Sequence, residues 1–82
     1  MYHLYILFSN KIDKYYVGHT DNIIERVERH NRGGEKYTTV GQPWILVYSE
    51  GYQTKELAYK REREIKKWKS KKMIEKLIKS AG

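Results

Sequence analysis

Apolar positions along the chain fall into three short dense runs and three longer periodic stretches. Tyr2-His3-Leu4-Tyr5-Ile6-Leu7-Phe8 is rich in aromatic and β-branched residues with apolar side chains on both faces, the pattern of a buried strand. Ser9 to Asp13 is turn-like, and Lys14-Tyr15-Tyr16-Val17-Gly18 reads as the returning strand of a hairpin. Asp21 and Asn22 both suit a helix N-cap, and Glu25 stands three residues after Asn22. Ile23, Ile24 and Val27 then make a helical stripe that Gly33-Gly34 ends.

Residues 33–43 lack periodicity and read as a polar, glycine-containing loop. Pro43 precedes a third strand, Trp44-Ile45-Leu46-Val47-Tyr48, again apolar on both faces. Thr54 caps a second helix with the stripe Leu57, Ala58, Arg61, Ile65 and Trp68, the stem of Arg61 lying along it. Ser70 caps a third helix that carries Met73, Ile74, Leu77 and Ile78 on one face. The order ββαβαα predicts an α+β fold: a three-stranded, mainly antiparallel sheet with one layer of helices over one face. The 82 residues are expected to form a single domain over 1–82.

A domain this small buries only roughly 60% of its unfolded surface, which favours a shallow polymer-reading site over a deep ligand pocket. There is no cysteine, so disulfides and thiolate metal sites are excluded. Met1-Tyr2-His3-Leu4 resembles no secretory signal and no apolar run reaches membrane-spanning length, so a cytoplasmic protein without a membrane partner is expected. The net charge is +7, and its placement is uneven. Residues 1–53 hold six Lys/Arg against six Asp/Glu, whereas residues 54–82 hold eleven Lys/Arg against four Glu. That asymmetry suits a phosphate-binding surface, and equally a soluble lysine-rich helix pair.

Four residues stand out for chemistry. Tyr5 and Tyr16 lie in the two hairpin strands, Arg26 on the first helix, and Glu62 on the second. If Phe8 pairs with Asp13 across a four-residue loop, Tyr5 sits opposite Tyr16 on one sheet face, a register the sequence permits without forcing. Read alone, two strand tyrosines are core or sheet surface, Arg26 is a solvated helix charge, and Glu62 pairs with Lys66 one turn on. Periodicity does not choose between Glu62 and Glu64, which flank opposite edges of the same stripe.

In order and spacing, Tyr5 within His3-Leu4-Tyr5, Tyr16-Val17-Gly18, Arg26 and Glu62-x-x-Ile65-Lys66 resemble the GIY-YIG nuclease superfamily, named for two short tyrosine-containing strands. The resemblance runs from about Met1 to Trp68. It implies a metal-dependent endonuclease acting on DNA, in repair or recombination, with Tyr5, Tyr16, Arg26 and Glu62 in the active site. Tyr16 would be the candidate for activating water, although a phenol with a pKa near 10 is a poor base unless a cation favours its phenolate. Arg26 would grip the scissile phosphate and offset its growing charge. Glu62 would hold Mg²⁺ or Mn²⁺, ions that take one or two carboxylates and complete their shells with water and phosphate oxygens. His30, one turn after Arg26, is a secondary candidate for proton transfer. His3 stands where the motif has its first glycine, and His19 where some members have lysine; the last two helices lack an auxiliary asparagine found in some relatives.

Gly18 would admit a phosphate or a neighbouring backbone, or simply end the strand, and His19 would contact phosphate or cap it. Lys66, Lys67, Lys69, Lys71 and Lys72 flank Trp68 and form a candidate phosphate ridge, with Trp68 itself better placed in the core than under a base. DNA is the expected partner, in branched or single-stranded form, with RNA left open. At this length no attached specificity domain is expected, so target choice is expected to fall to nucleic-acid shape or to a protein partner. The competing class is a non-catalytic nucleic-acid-binding module that keeps the fold; a purely structural interaction domain would neither bind nor cut.

Overall fold

Three strands, β1 (Tyr2–Ser9), β2 (Lys14–Thr20) and β3 (Trp44–Tyr52), form one antiparallel sheet in the order β2-β1-β3. The computed structural model describes residues 1–33 and 39–81. Its helices are α1 (Ile23–Asn31), α2 (Lys55–Trp68) and α3 (Lys71–Ser80), so the element order is the one the hydrophobic pattern predicts. None of these helices is long and apolar enough to cross a membrane. The expected glycine-containing loop and the Gly34 half of the α1 stop signal lie partly or wholly outside the described residues. Gly33 itself has the left-handed φ of 80° that a helix-ending glycine supplies.

The helix starts follow the capping residues. Asn22, rather than Asp21, caps α1, its side chain accepting from Glu25 N at 3.1 Å. Thr54 Oγ1 accepts from Leu57 N at 3.3 Å and Ser70 Oγ from Met73 N at 3.2 Å, satisfying donors that the first turns of α2 and α3 leave open.

The expectation of a single helical layer is corrected: helices cover both faces of the sheet. Leu4, Ile6 and Val17 pack under Ile65 and Trp68 of α2 and Ile74, Leu77 and Ile78 of α3. Tyr5, Leu7 and Trp44 pack with Tyr16 and with Val27 of α1 on the other side. The physical reason lay in the strands, whose apolar residues on both faces require two covers. A bulge in β3 completes the arrangement. Ile6 pairs with Tyr48 but Leu7 with Leu46, so Val47 is extra and the in/out alternation slips by one. Trp44 therefore faces the Tyr5 layer, while Tyr48 and Tyr52 face the Leu4/Ile6 layer.

Two helical stripes also differ from expectation. Ile24 of α1 and Leu57 of α2 are exposed, and the buried positions of α2 are Ala58, Glu62 and Ile65. Docking against a twisted sheet turns α2 so that Glu62 rather than Leu57 lies beneath it. Full burial of Ile65 contributes about 1.5–3 kcal/mol, more than the exposed ion pair Arg29–Glu25 can supply at about 0–1 kcal/mol.

A polar cluster ties β3 to α2. Glu50 accepts from Tyr48 Oη, from Tyr52 Oη at 2.6 Å, and from Arg61 through Nε at 3.0 Å and Nη2 at 3.2 Å. Arg61 also pairs with Glu64 and places its guanidinium 5.6 Å from the centre of the Trp68 ring. Burial, then the Glu50 carboxylate, pushes the phenols of Tyr48 and Tyr52 up to about 12. Because an unfolded tyrosine ionises near 10 and the folded ones resist, their contribution to stability is complete below pH 10 and is lost as pH rises through about 12. Chemical denaturation across that window is expected to show a steady fall in unfolding free energy. The Tyr48→Phe, Tyr52→Phe double variant should show a shallower fall, and an equal slope would count against the cluster.

Candidate active site

The hairpin register differs by two residues from the expected one. Ser9 pairs with Lys14 and Phe8 with Tyr15, so Tyr5 lies opposite Gly18 and Tyr16 opposite Leu7. The turn is still four residues long, but it closes one pair later, with Asp13 at φ 54° in the left-handed region that aspartate tolerates. A shift of two preserves the face of every side chain. Tyr5 and Tyr16 therefore share a face as expected, their rings stacked at 6.3 Å between centroids and 25° between planes.

Pairing Tyr5 with a glycine has a steric reason. A Cβ on residue 18 would lie 2.6 Å from Tyr5 Oη and 2.7 Å from Cζ. Gly18 is therefore not at a strand end: it is an interior position of β2 whose missing side chain makes room for the Tyr5 ring.

His30, on the last turn of α1, closes the cluster from the opposite side. Its Nε2 shares a 3.1 Å hydrogen bond with Tyr5 Oη, and its ring centroid is 4.6 Å from that of Tyr16. The end of α1 is pinned to the start of β3: Asn31 donates to Trp44 O at 3.0 Å and accepts from Trp44 N at 2.6 Å, while Gln42 Nε2 donates to His30 O at 3.0 Å. His30 is fully buried, with its Nε2 against the Tyr5 hydroxyl.

Tyr5 is 1% exposed. Burial first, and then Tyr16, pushes its phenol well above the ordinary tyrosine value, with Arg26 pulling the other way and Glu62 adding to the rise. Tyr5 thus stays protonated throughout the neutral range, with its hydroxyl in a hydrogen bond to His30. Arg26 of α1 and Glu62 of α2 both act on it electrostatically, although the two helices cover opposite faces. The link between them runs through His19 of the edge strand β2, which is bonded to Glu62 and lines a cleft with Arg26.

Glu62, 9% exposed, is the acid that faces the sheet; Glu64 points outward and pairs with Arg61. His19 Nδ1 donates to Glu62 Oε1 at 2.6 Å, and Lys66 Nζ to Oε2 at 2.8 Å. A carboxylate offers about four acceptor sites, so two hydrogen bonds leave room for another partner. Among the described residues no three His, Asp or Glu side chains converge as a metal cluster.

An open cleft of about 280 Å³ is lined by Tyr2, His19, Thr20, Asp21, Arg26 and Lys55, so that of the four expected active-site residues it takes in Arg26, and it reaches Glu62 through His19. A further hollow of about 240 Å³ runs beside Tyr16, with Lys66 and Lys69 on its wall. The basic ridge is thereby divided. Lys66 is bound to Glu62, and Lys71 to Asp13 at 2.6 Å, tying α3 to the hairpin turn. Lys69 ends α2 in the left-handed conformation. Lys67, Lys69 and Lys72 make no ion pair among the described residues, and Trp68 is partly buried against the core.

Lys55 and the His19–Glu62 pair were not singled out from the sequence. The spacing did contain a signal: Lys55, Tyr59, Glu62 and Lys66 recur at helical intervals along one side of α2. What no periodicity could show was that this side meets β2.

The sequence profile of the GIY-YIG catalytic domain family matches residues 1–76. UPF0213 proteins of Staphylococcus aureus strains Mu50 and N315 are each 51% identical to the chain over 60 residues, covering 72% of it and 73% of the relative. Among solved structures, the solution NMR structure of a UPF0213 protein from Bacillus halodurans superposes with a TM-score of 0.63. Its sequence identity is 32%, and the match covers 100% of this chain and 87% of the other.

Proposed function

We propose that this chain, which belongs to the GIY-YIG catalytic domain family, is a divalent-metal-dependent endonuclease that hydrolyses phosphodiester bonds of DNA. The observation that carries the proposal is His19 of the edge strand β2, which is bonded to Glu62 and lines one cleft with Arg26, beside a hairpin on which Tyr5 and Tyr16 stack.

Arg26, half-buried on the wall of the cleft, holds two phosphoryl oxygens with its planar guanidinium and offsets the charge that accumulates as phosphorus is attacked. Tyr16 is the less buried of the two tyrosines and orients the attacking water. The water oxygen bonds to phosphorus as the bond to one sugar oxygen breaks; the attacking water gives up one proton to solvent, and the departing oxygen takes one up from solvent. Tyr5, kept protonated and fixed by His30, holds Tyr16 and the phosphate in register. Lys55, Lys66 and Lys69 neutralise flanking phosphates without reading bases.

Glu62 fits Mg²⁺ or Mn²⁺ as a single-carboxylate site, because His19 and Lys66 orient both of its oxygens while leaving acceptor capacity on each. Such an ion, when bound, supplies Lewis-acid stabilisation of a phosphoryl oxygen. With only one protein carboxylate, it is held chiefly together with substrate. The test is nicking of supercoiled DNA by pure protein, with and without divalent metal. Metal-dependent nicking that disappears in Glu62→Ala supports the proposal, and intact DNA under every metal tried overturns it in favour of a binding module.

Phosphate contacts predict a salt dependence. Log affinity for duplex DNA is expected to fall with log salt by about 0.9 per phosphate neutralised. Lys67→Glu combined with Lys72→Glu should weaken binding to all sequences alike. Lys71 is unsuitable for this test, since its loss would also release Asp13. A flat titration would show that the lysines only solubilise the helices.

A further inference from the structure

Beyond the cleft at Arg26, a second hollow of about 460 Å³ opens on the outer side of β2, lined by His19, Lys55, Glu56 and Tyr59. His19 and Lys55 line both, so the two adjoin, and the His19 between them is bonded to the Glu62 carboxylate. In the second hollow stands Tyr59, 45% exposed. Among the described residues it is the one tyrosine that is exposed, on a helix whose buried residues are Ala58, Glu62 and Ile65. Its setting is specific: the ring meets His19 edge-on at 5.3 Å between centroids, and the Arg63 guanidinium lies 5.8 Å from its centre. The neighbours hold the ring in orientation without covering it.

A flat ring flanked by a guanidinium, one helical turn from a lysine and adjoining a phosphate-sized cleft, matches the chemistry of a nucleotide whose base is unstacked. A paired base offers its π-face only to its neighbours in the duplex, so a protein ring gains access where the strand is single. An acidic peptide would use the cations but not the exposed ring, and an apolar segment would strand Lys55 and Arg63 beside it.

We propose that Tyr59 is a stacking platform for an unpaired base next to the scissile phosphate, with Lys55 and Arg63 on the backbone either side, so that the site selects single-stranded or flapped DNA over continuous duplex. This rests on the nuclease reading for the position of the scissile phosphate, but its measurement is one of binding. Affinities are measured under chelator, so that nothing is cut, for a single-stranded oligonucleotide, a duplex with a single-stranded flap, and a blunt duplex. The proteins are the parent, Tyr59→Ala and Tyr59→Trp. Stacking on one base predicts that Tyr59→Ala weakens binding to the single strand and the flap by about tenfold. Blunt-duplex affinity should stay unchanged, and Tyr59→Trp should retain parental affinity. A fluorescent purine analogue in the single strand should be quenched by the parent and by Tyr59→Trp but not by Tyr59→Ala. Equal affinity of parent and Tyr59→Ala for the single strand overturns the platform and leaves the nuclease reading standing. Tyr59-dependent binding by a protein that never cuts overturns the nuclease reading and leaves the platform. Failure of the parent to bind any of the three DNAs overturns both.

Discussion

Arg26→Ala and, separately, Glu62→Ala are expected to slow strand cleavage by about 10²–10³-fold, the usual effect of removing a group that stabilises developing charge. The two losses differ in origin. Arg26 lines the cleft, and its removal takes away a cation that neither Lys55 nor Lys66 can replace with the same planar, two-point grip. Arg26→Lys should therefore recover only part of the rate. Glu62 is buried and accepts from His19 and Lys66, so alanine there also removes the partner of the half-buried His19, while the exposed Lys66 turns to solvent. Glu62→Gln keeps the shape and one acceptor oxygen while removing the charge, and should be nearly as slow as alanine with less loss of stability. Single-turnover nicking at saturating DNA, with circular dichroism to confirm folding, separates these cases. Parental rates in both Arg26→Ala and Glu62→Gln would sink the assignment.

Gly18→Ala is expected to be the most damaging conservative change outside those charges. The new methyl carbon would lie 2.6 Å from Tyr5 Oη, far inside van der Waals contact, and Tyr5 is hemmed in by Tyr16 and His30. Overpacking of this kind costs about 1–3 kcal/mol. The ring can escape only by breaking its 3.1 Å hydrogen bond to His30, which would move both tyrosines. A lowered Tm together with a fall in single-turnover rate at a temperature where the variant is still folded would bear this out. An unchanged Tm would mean that the hairpin yields at no cost and that the glycine serves another purpose.

How much of this was visible beforehand depended on whether the information was local. Caps at Asn22, Thr54 and Ser70 and the helical phases of Ile65 and Trp68 follow from neighbours along the chain, and the elements formed where they indicate. The face shared by Tyr5 and Tyr16 survived an error of two in register because side chains alternate with period two. The register itself was not legible, since it depends on how a tyrosine ring fits over a glycine across the hairpin. The second helical layer was legible in principle, as each strand is apolar on both faces. The choice of Glu62 over Glu64 was not, because it follows from the angle at which α2 lies on the sheet. Likewise His19 gave no hint of binding Glu62, 43 positions away.

That the cleft lies along the outer border of the sheet, and not in a bowl on one of its faces, bears on how a polymer is presented to it. Among the described residues, Tyr2, His19, Thr20, Asp21, Arg26 and Lys55 line an open cleft that adjoins the hollow at Tyr59 beside β2. A strand can lie across such a border with both of its termini far away. It needs no threading, and nothing in the cleft measures distance from an end. Scission in the interior of a long molecule is thus geometrically as accessible as scission near its tip, and where the cut falls is left to local distortion of the strand.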